Sequence, residues 1–204
     1  MFNGDNCMIQ VGKLLVVFAS LVILAGCATA PRVDSKKVYQ LQQASQSQSD
    51  IAIVDNRPGD EKHFQIKGNG GYYALGDENF QPDRMSVLKN QLSNLLDGKK
   101  LNTPIVVESF KILIIDFTGA VGTSNFASGL GYTSGISNLF YPEDLMASCT
   151  IAIRIGNEKF EKKEFQTYPA AKFDEGLKDT VTKTIRMVAE QIKTVNMPQQ
   201  GSGI

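Results

Sequence analysis

Tryptophan is missing from this 204-residue chain, histidine occurs once, at His63, and cysteine three times, at Cys7, Cys27 and Cys149. One imidazole, with no Cys-x-x-Cys pair and no His-Glu-x-x-His run, excludes the usual zinc and transition-metal ligand sets. No metal or other cofactor is expected. The Gly-x-Ser-x-Gly elbow and the phosphate loop ending in Lys and Ser or Thr are also missing. Ser124 and Ser134 lie among glycines, but neither occupies a strand-to-helix elbow, and nothing places a serine beside His63. No catalytic residue is assigned, and the chain is not expected to be an enzyme. An excess of either charge is lacking too, with 21 Lys and Arg against 21 Asp and Glu. That balance argues against a nucleic-acid partner. Finally, the apolar run Leu14–Ala25 falls short of the roughly 20 residues that span a bilayer.

What is present begins at that run. Lys13 precedes it and Leu24-Ala25-Gly26-Cys27 closes it, the pattern of a secretory leader with its cleavage site. Met1–Cys7 is polar and contains Asp5, whereas Met8 would open a more ordinary leader, so translation starts at either Met1 or Met8. The tetrapeptide resembles the lipobox of bacterial lipoproteins. The resemblance implies a signal peptide over 1–26, a diacylglycerol on the Cys27 thiol and an acylated amino group on the same residue. Three acyl chains exceed the two signals that stable anchoring needs. Ala28 after the cysteine, rather than Asp, implies the inner leaflet of the outer membrane, with the body facing the periplasm. Cys7 is then lost and Cys27 lipidated, so Cys149 has no partner for an intrachain disulfide. Its alternation with Ile151, Ile153 and Ile155 marks it as a small buried hydrophobe.

Residues 27–50 form the expected tether. Gln42–Ser49 is polar and of low complexity, with nothing to bury, and Val38–Gln43 offers at most a turn of helix. As a flexible coil this segment would hold the body roughly 25 Å from the lipid. The body spans 51–197, a single domain, with a disordered tail at 198–204. It opens on the apolar strand Ile51–Asp55, and Phe64–Lys67 and Gly71–Leu75 flank a glycine turn. Pro82 and Asp83 start a helix whose Met85, Leu88, Leu92, Leu95 and Leu96 share one face, and Gly98 ends it. Ile105–Phe117 is a long strand in which Glu108, Ser109 and Lys111 change parity, so a bulge is expected near Ser109. Ser148–Ile155 alternates cleanly, Gly156-Asn157 turns the chain, and Lys159–Tyr168 returns as a charged edge strand. Phe173, Leu177, Val181, Ile185, Val188, Ile192 and Val195 then form one stripe along a final helix. The fold class is α+β, a largely antiparallel sheet with two helices on one face, in the order β-(ββ)-α-β-β-β-α.

Two stretches are candidates for binding. Asp55–His63 follows the first strand and offers Asp55, Arg57 and His63 to a small ligand, or else is a strand-ending turn in which Arg57 pairs with an acidic neighbour. Thr118–Tyr141 carries no charge, is punctuated by glycines and presents Phe126, Tyr132 and Phe140. A connection of that length is usually functional or mobile, so it either meets lipid or protein or extends a hairpin. An apolar strand ending in Asp-x-Arg, Ile51-Ala52-Ile53-Val54-Asp55-Asn56-Arg57-Pro58, behind a lipobox is similar to the YajG-type lipoproteins. That resemblance implies an envelope location and an α+β body more than a mechanism; the uncharged stretch departs from it. The expected role is a membrane-anchored, non-enzymatic lipoprotein that binds or stabilises an envelope protein partner or an assembly or transport machine. The alternative is a small-ligand or glycan domain, for peptidoglycan or lipid, built on the 55–63 loop.

Overall fold

A computed structural model describes residues 33–42, 51–67, 71–97, 101, 103–116 and 144–194. The lipobox with Cys27, the stretch holding Phe126, Tyr132 and Phe140, and the tail lie outside the described residues. The described chain is α+β. A six-stranded sheet carries strands β2 (Ile53–Asp55), β3 (Gln65–Lys67), β4 (Tyr72–Ala74), β6 (Ile105–Asp116), β7 (Asp144–Ile155) and β8 (Glu158–Pro169). Helices α1 (Arg84–Leu95) and α2 (Phe173–Thr194) share one core with it. Two further short strands, β1 (Tyr39–Gln40) and β5 (Phe80–Gln81), pair in parallel away from the main sheet.

Strand β6 is the hub. On one flank it pairs antiparallel with β7 along its whole length. On the other, its first residues pair in parallel with β2 and its last antiparallel with β4. Ile105, Val107, Phe110, Ile112 and Ile114 all point into the core, which a strict period of two forbids. The expected bulge restores the phase: the register slips between Val107 and Ser109, leaving Glu108 as the extra residue. Glu108 then accepts from Arg154 Nε at 2.9 Å on the neighbouring strand.

Strand β7 begins four residues earlier than the alternation suggests, because Leu145–Ala147 pairs on both sides and Asp144 with Pro169 of β8. Its core face runs Leu145, Ala147, Cys149, Ile151, Ile153, Ile155. The two-residue turn to β8 needs a positive φ, which Gly156 supplies at 58°. Strand β8 is an edge, as its charged composition suggests.

Helix α1 starts where Asp83 accepts from Ser86 N at 2.9 Å, a side-chain cap on an otherwise orphaned donor. Val87, Leu88, Leu92 and Leu96 are buried beneath it. The stripe of α2 is buried from Phe173 to Ile192. This helix runs back antiparallel along β8. The Tyr168 ring lies against Gly176 so closely that a Cβ there would collide with it, and Lys183 pairs with Glu164 one level further along.

One expectation is corrected. The body does not begin at Ile51, and residues 33–42 are not part of a tether. Val33, Tyr39 and Leu41 are buried in the core, and the strap is extended rather than helical, with Leu41 N donating to Gln81 O at 3.0 Å. Three buried apolar side chains and a strand pairing give this strap the burial its polar neighbours lack.

Candidate functional site

The 55–63 loop is held from three sides by charge. Strand β2 delivers Asp55 at its end, a short 3₁₀ turn (Gly59–Lys62) delivers Glu61, and a second (Asp77–Asn79) delivers Asp77. The first residue of α1 is Arg84. Asp55 closes an Asx turn on its own loop, accepting from Arg57 N at 3.1 Å. It also takes Arg57 Nε at 2.9 Å and Nη2 at 3.0 Å. The opposite side of the same guanidinium reaches Asp77, Nη1 at 3.1 Å and Nη2 at 3.0 Å. Arg57 is thus clamped by two bidentate carboxylates, the strongest arrangement open to it.

Arg84 completes the cluster and is fully buried. Its Nε donates to Asp77 at 2.7 Å, Nη1 to Phe110 O at 2.7 Å and Nη2 to Glu61 O at 2.7 Å. The rings of Phe80 and Phe110 stand 5.6 and 5.8 Å from the guanidinium carbon, within cation–π range. Glu61 turns inward as well. Its carboxylate accepts from Ser109 Oγ at 3.0 Å, Phe110 N at 3.1 Å and Lys111 Nζ at 3.0 Å. These bonds tie the loop to β6 beside its bulge.

The electrostatics follow from these contacts. The Arg57 side-chain bonds hold the Asp55 carboxyl well below the usual carboxylate range, with Lys62 adding to the effect. Burial pushes Asp77 up, but hydrogen bonds and charge from Arg57 and Arg84 outweigh it and leave the carboxyl lowered. Burial depresses Arg84 despite Asp77, and a guanidinium keeps its proton regardless. Within this cluster Asp55 and Asp77 stay ionised near neutrality and have no proton to give. The arrangement holds segments together; it is not poised for acid–base exchange.

A pH dependence follows with a definite sign. Both aspartates have folded values below their unfolded ones, so their contribution is complete above about pH 4 and is lost as pH falls through the folded values. Urea midpoints are expected to fall steeply below about pH 4, and Asp55→Asn to flatten that fall while lowering stability at pH 7. Parallel pH curves for the two proteins would refute the assignment.

Of the residues singled out in the sequence, the structure brings Asp55 and Arg57 together. His63 is exposed and joins neither by a hydrogen bond or ion pair. Arg57, at 5% exposure, faces the interior of the cluster. Sequence reasoning missed Asp77 and Arg84 and left Glu61 as one charge among several. A signal existed for Arg84: a cation in the first turn of a helix opposes the dipole, so another force must hold it there. Cys149 is fully buried, and burial pushes its thiol up to about 12, so it is protonated at neutral pH and inert as a nucleophile. Among the described residues no group of three or more His, Cys, Asp or Glu is placed to hold a metal ion. No helix among them is long and apolar enough to cross a membrane.

No known family profile matches the chain, and no curated protein does. A solved structure titled "Crystal structure of uncharacterized protein" is similar to it at 10% identity, with a TM-score of 0.34, over 76% of this chain and 99% of the other. A likeness that slight carries no argument about function.

Proposed function

We propose that this chain is a lipid-anchored protein of the bacterial cell envelope, held through Cys27 in the inner leaflet of the outer membrane and facing the periplasm. Its work is binding or stabilising an envelope protein partner, not catalysis. The observation that carries the reading is Leu24-Ala25-Gly26-Cys27 at the end of a short apolar leader run. The inward-turned charges of the 55–63 loop support the second half of it. Arg57 and Glu61 spend their hydrogen-bonding capacity on the protein itself, which leaves them little with which to grip a ligand.

Cys27→Ser is the direct test. The variant is expected to leave the outer-membrane fraction for the soluble periplasmic one, with unchanged thermal unfolding of its body. Retention in the membrane fraction would refute the anchor. Cross-linking in intact cells is expected to recover one stoichiometric protein partner. Saturable binding of a muropeptide by the soluble domain would instead favour a ligand-binding role.

A further inference from the structure

The buried start of the body limits how the domain can stand on its membrane. Five residues, 28–32, separate Cys27 from Val33. Fully extended, that stretch reaches at most about 22 Å. Val33 is buried, and the turn after it closes with Lys37 N donating to Asp34 O at 3.1 Å. Lys37 Nζ then meets Asp174 at 2.7 Å, and the Tyr39 ring stands edge-on to Phe173 at 6.4 Å. Both partners open α2, which follows the end of β8 after a single short turn. Pro169 at that end pairs with Asp144. The opposite end of the same two strands is the Gly156–Asn157 turn, about 40 Å away along twelve residues of β8. A leash of about 22 Å fixed at the α2 end cannot let the body stand upright on that turn, with the α2 end about 40 Å above the lipid.

We propose that the β8–α2 end of the body rests on the lipid surface, with Lys36, Val38 and Lys172 among the headgroups. The proposal rests on the lipoprotein reading above. All three side chains are exposed, and among the described residues Val38 is one of four large hydrophobics left exposed, at 46%. Lysine stems lie along an interface while their ammonium groups meet phosphate. Of the acidic groups nearby, Asp34 accepts from Lys36 N at 2.8 Å and Asp174 from Lys37, while Glu175 is exposed beside them in the first turn of α2. The chain also leaves β6 after Asp116 and enters β7 at Asp144 here, so the uncharged stretch 118–141 is joined to the body at its lipid end.

The test uses the full-length acylated protein in vesicles of phosphatidylethanolamine and phosphatidylglycerol that carry a headgroup spin label. Lys36→Cys, Lys172→Cys and Asn157→Cys are each coupled to a fluorophore. Cys149 is fully buried and Cys27 is blocked by its lipid, so the introduced thiol is the reactive one. Quenching several-fold stronger at 36 and 172 than at 157 is expected. Equal quenching at the three sites, none at any, or a maximum at 157 overturns the orientation. Mass spectrometry of the amino-terminal peptide reads the acyl groups separately. If they are missing, the lipoprotein reading fails and the orientation with it. If they are present and the quenching profile is flat, the orientation alone fails.

Discussion

Arg84→Ala is expected to cost about 3–5 kcal/mol of folding stability, the range for removing one partner of a buried charged network. The side chain is fully buried, so truncation also opens a cavity beneath α1. Three groups lose their donor together: the Asp77 carboxylate, Phe110 O and Glu61 O. Asp77 keeps Arg57, so the residual charge is half compensated, which places the loss within that range rather than beyond it. Arg84→Lys separates charge from geometry. A lysine restores the cation, but its donors sit on a single nitrogen and cannot reach the three acceptors that Nε, Nη1 and Nη2 serve separately. Its loss should therefore fall between wild type and alanine. Guanidinium unfolding midpoints check both variants. An Arg84→Ala loss under 1 kcal/mol would mean that the cluster is ornamental.

Asn79→Ala is expected to cost about 2–3 kcal/mol, from three hydrogen bonds removed, the one to Gly76 N in a buried setting. The Asn79 side chain is fully buried and links two chain segments. Its Nδ2 donates to Ser35 O at 2.7 Å and to Lys37 O at 3.1 Å, while its Oδ1 accepts from Gly76 N at 2.9 Å. The ion pair on the strap, Lys37 to Asp174, is exposed on both sides and contributes little. The loss should therefore be uneven. Hydrogen exchange is expected to show amides around Tyr39 and Leu41 losing protection before those of β6 and β7. Uniform loss across the sheet would show instead that strap and sheet open as one unit.

These two residues also mark how far the sequence could be read. The α2 stripe, the β7 alternation, the parity change in β6 and the helix start at Pro82-Asp83 are all patterns within one segment, and each has its counterpart in the structure. Asp83, however, caps α1 from just outside it rather than sitting in its first turn. The strap escaped because its apolar residues, Val33, Tyr39 and Leu41, lie among lysines and glutamines, and a two-residue strand is too short to show a period. Its partner β5 follows about forty residues later. Arg84 escaped for a related reason. A buried guanidinium depends on Asp77, Glu61 and Phe110 from other segments, and no local spacing announces such a convergence. At the candidate site the sequence showed Asp55 and Arg57 as neighbours, and the turn alternative already foresaw Arg57 paired with an acid. It could not show that a second aspartate would close the other side of the guanidinium.

The pairing pattern around β6 also implies an order of assembly. Strands β7 and β8 meet across a two-residue turn, and α2 folds back along β8 immediately after it. These contacts close short loops and form at small entropic expense. Strand β2 must instead find β6 in parallel about fifty residues later, and β1 must find β5 across a gap nearly as long. The carboxy-terminal half is thereby the template, and the amino-terminal strands are its last additions. Of the segments placed at the proposed lipid end, the amino-terminal strap is then the one that arrives last and lets go first, so a pull on the anchor would be felt at β1 well before it reached the sheet.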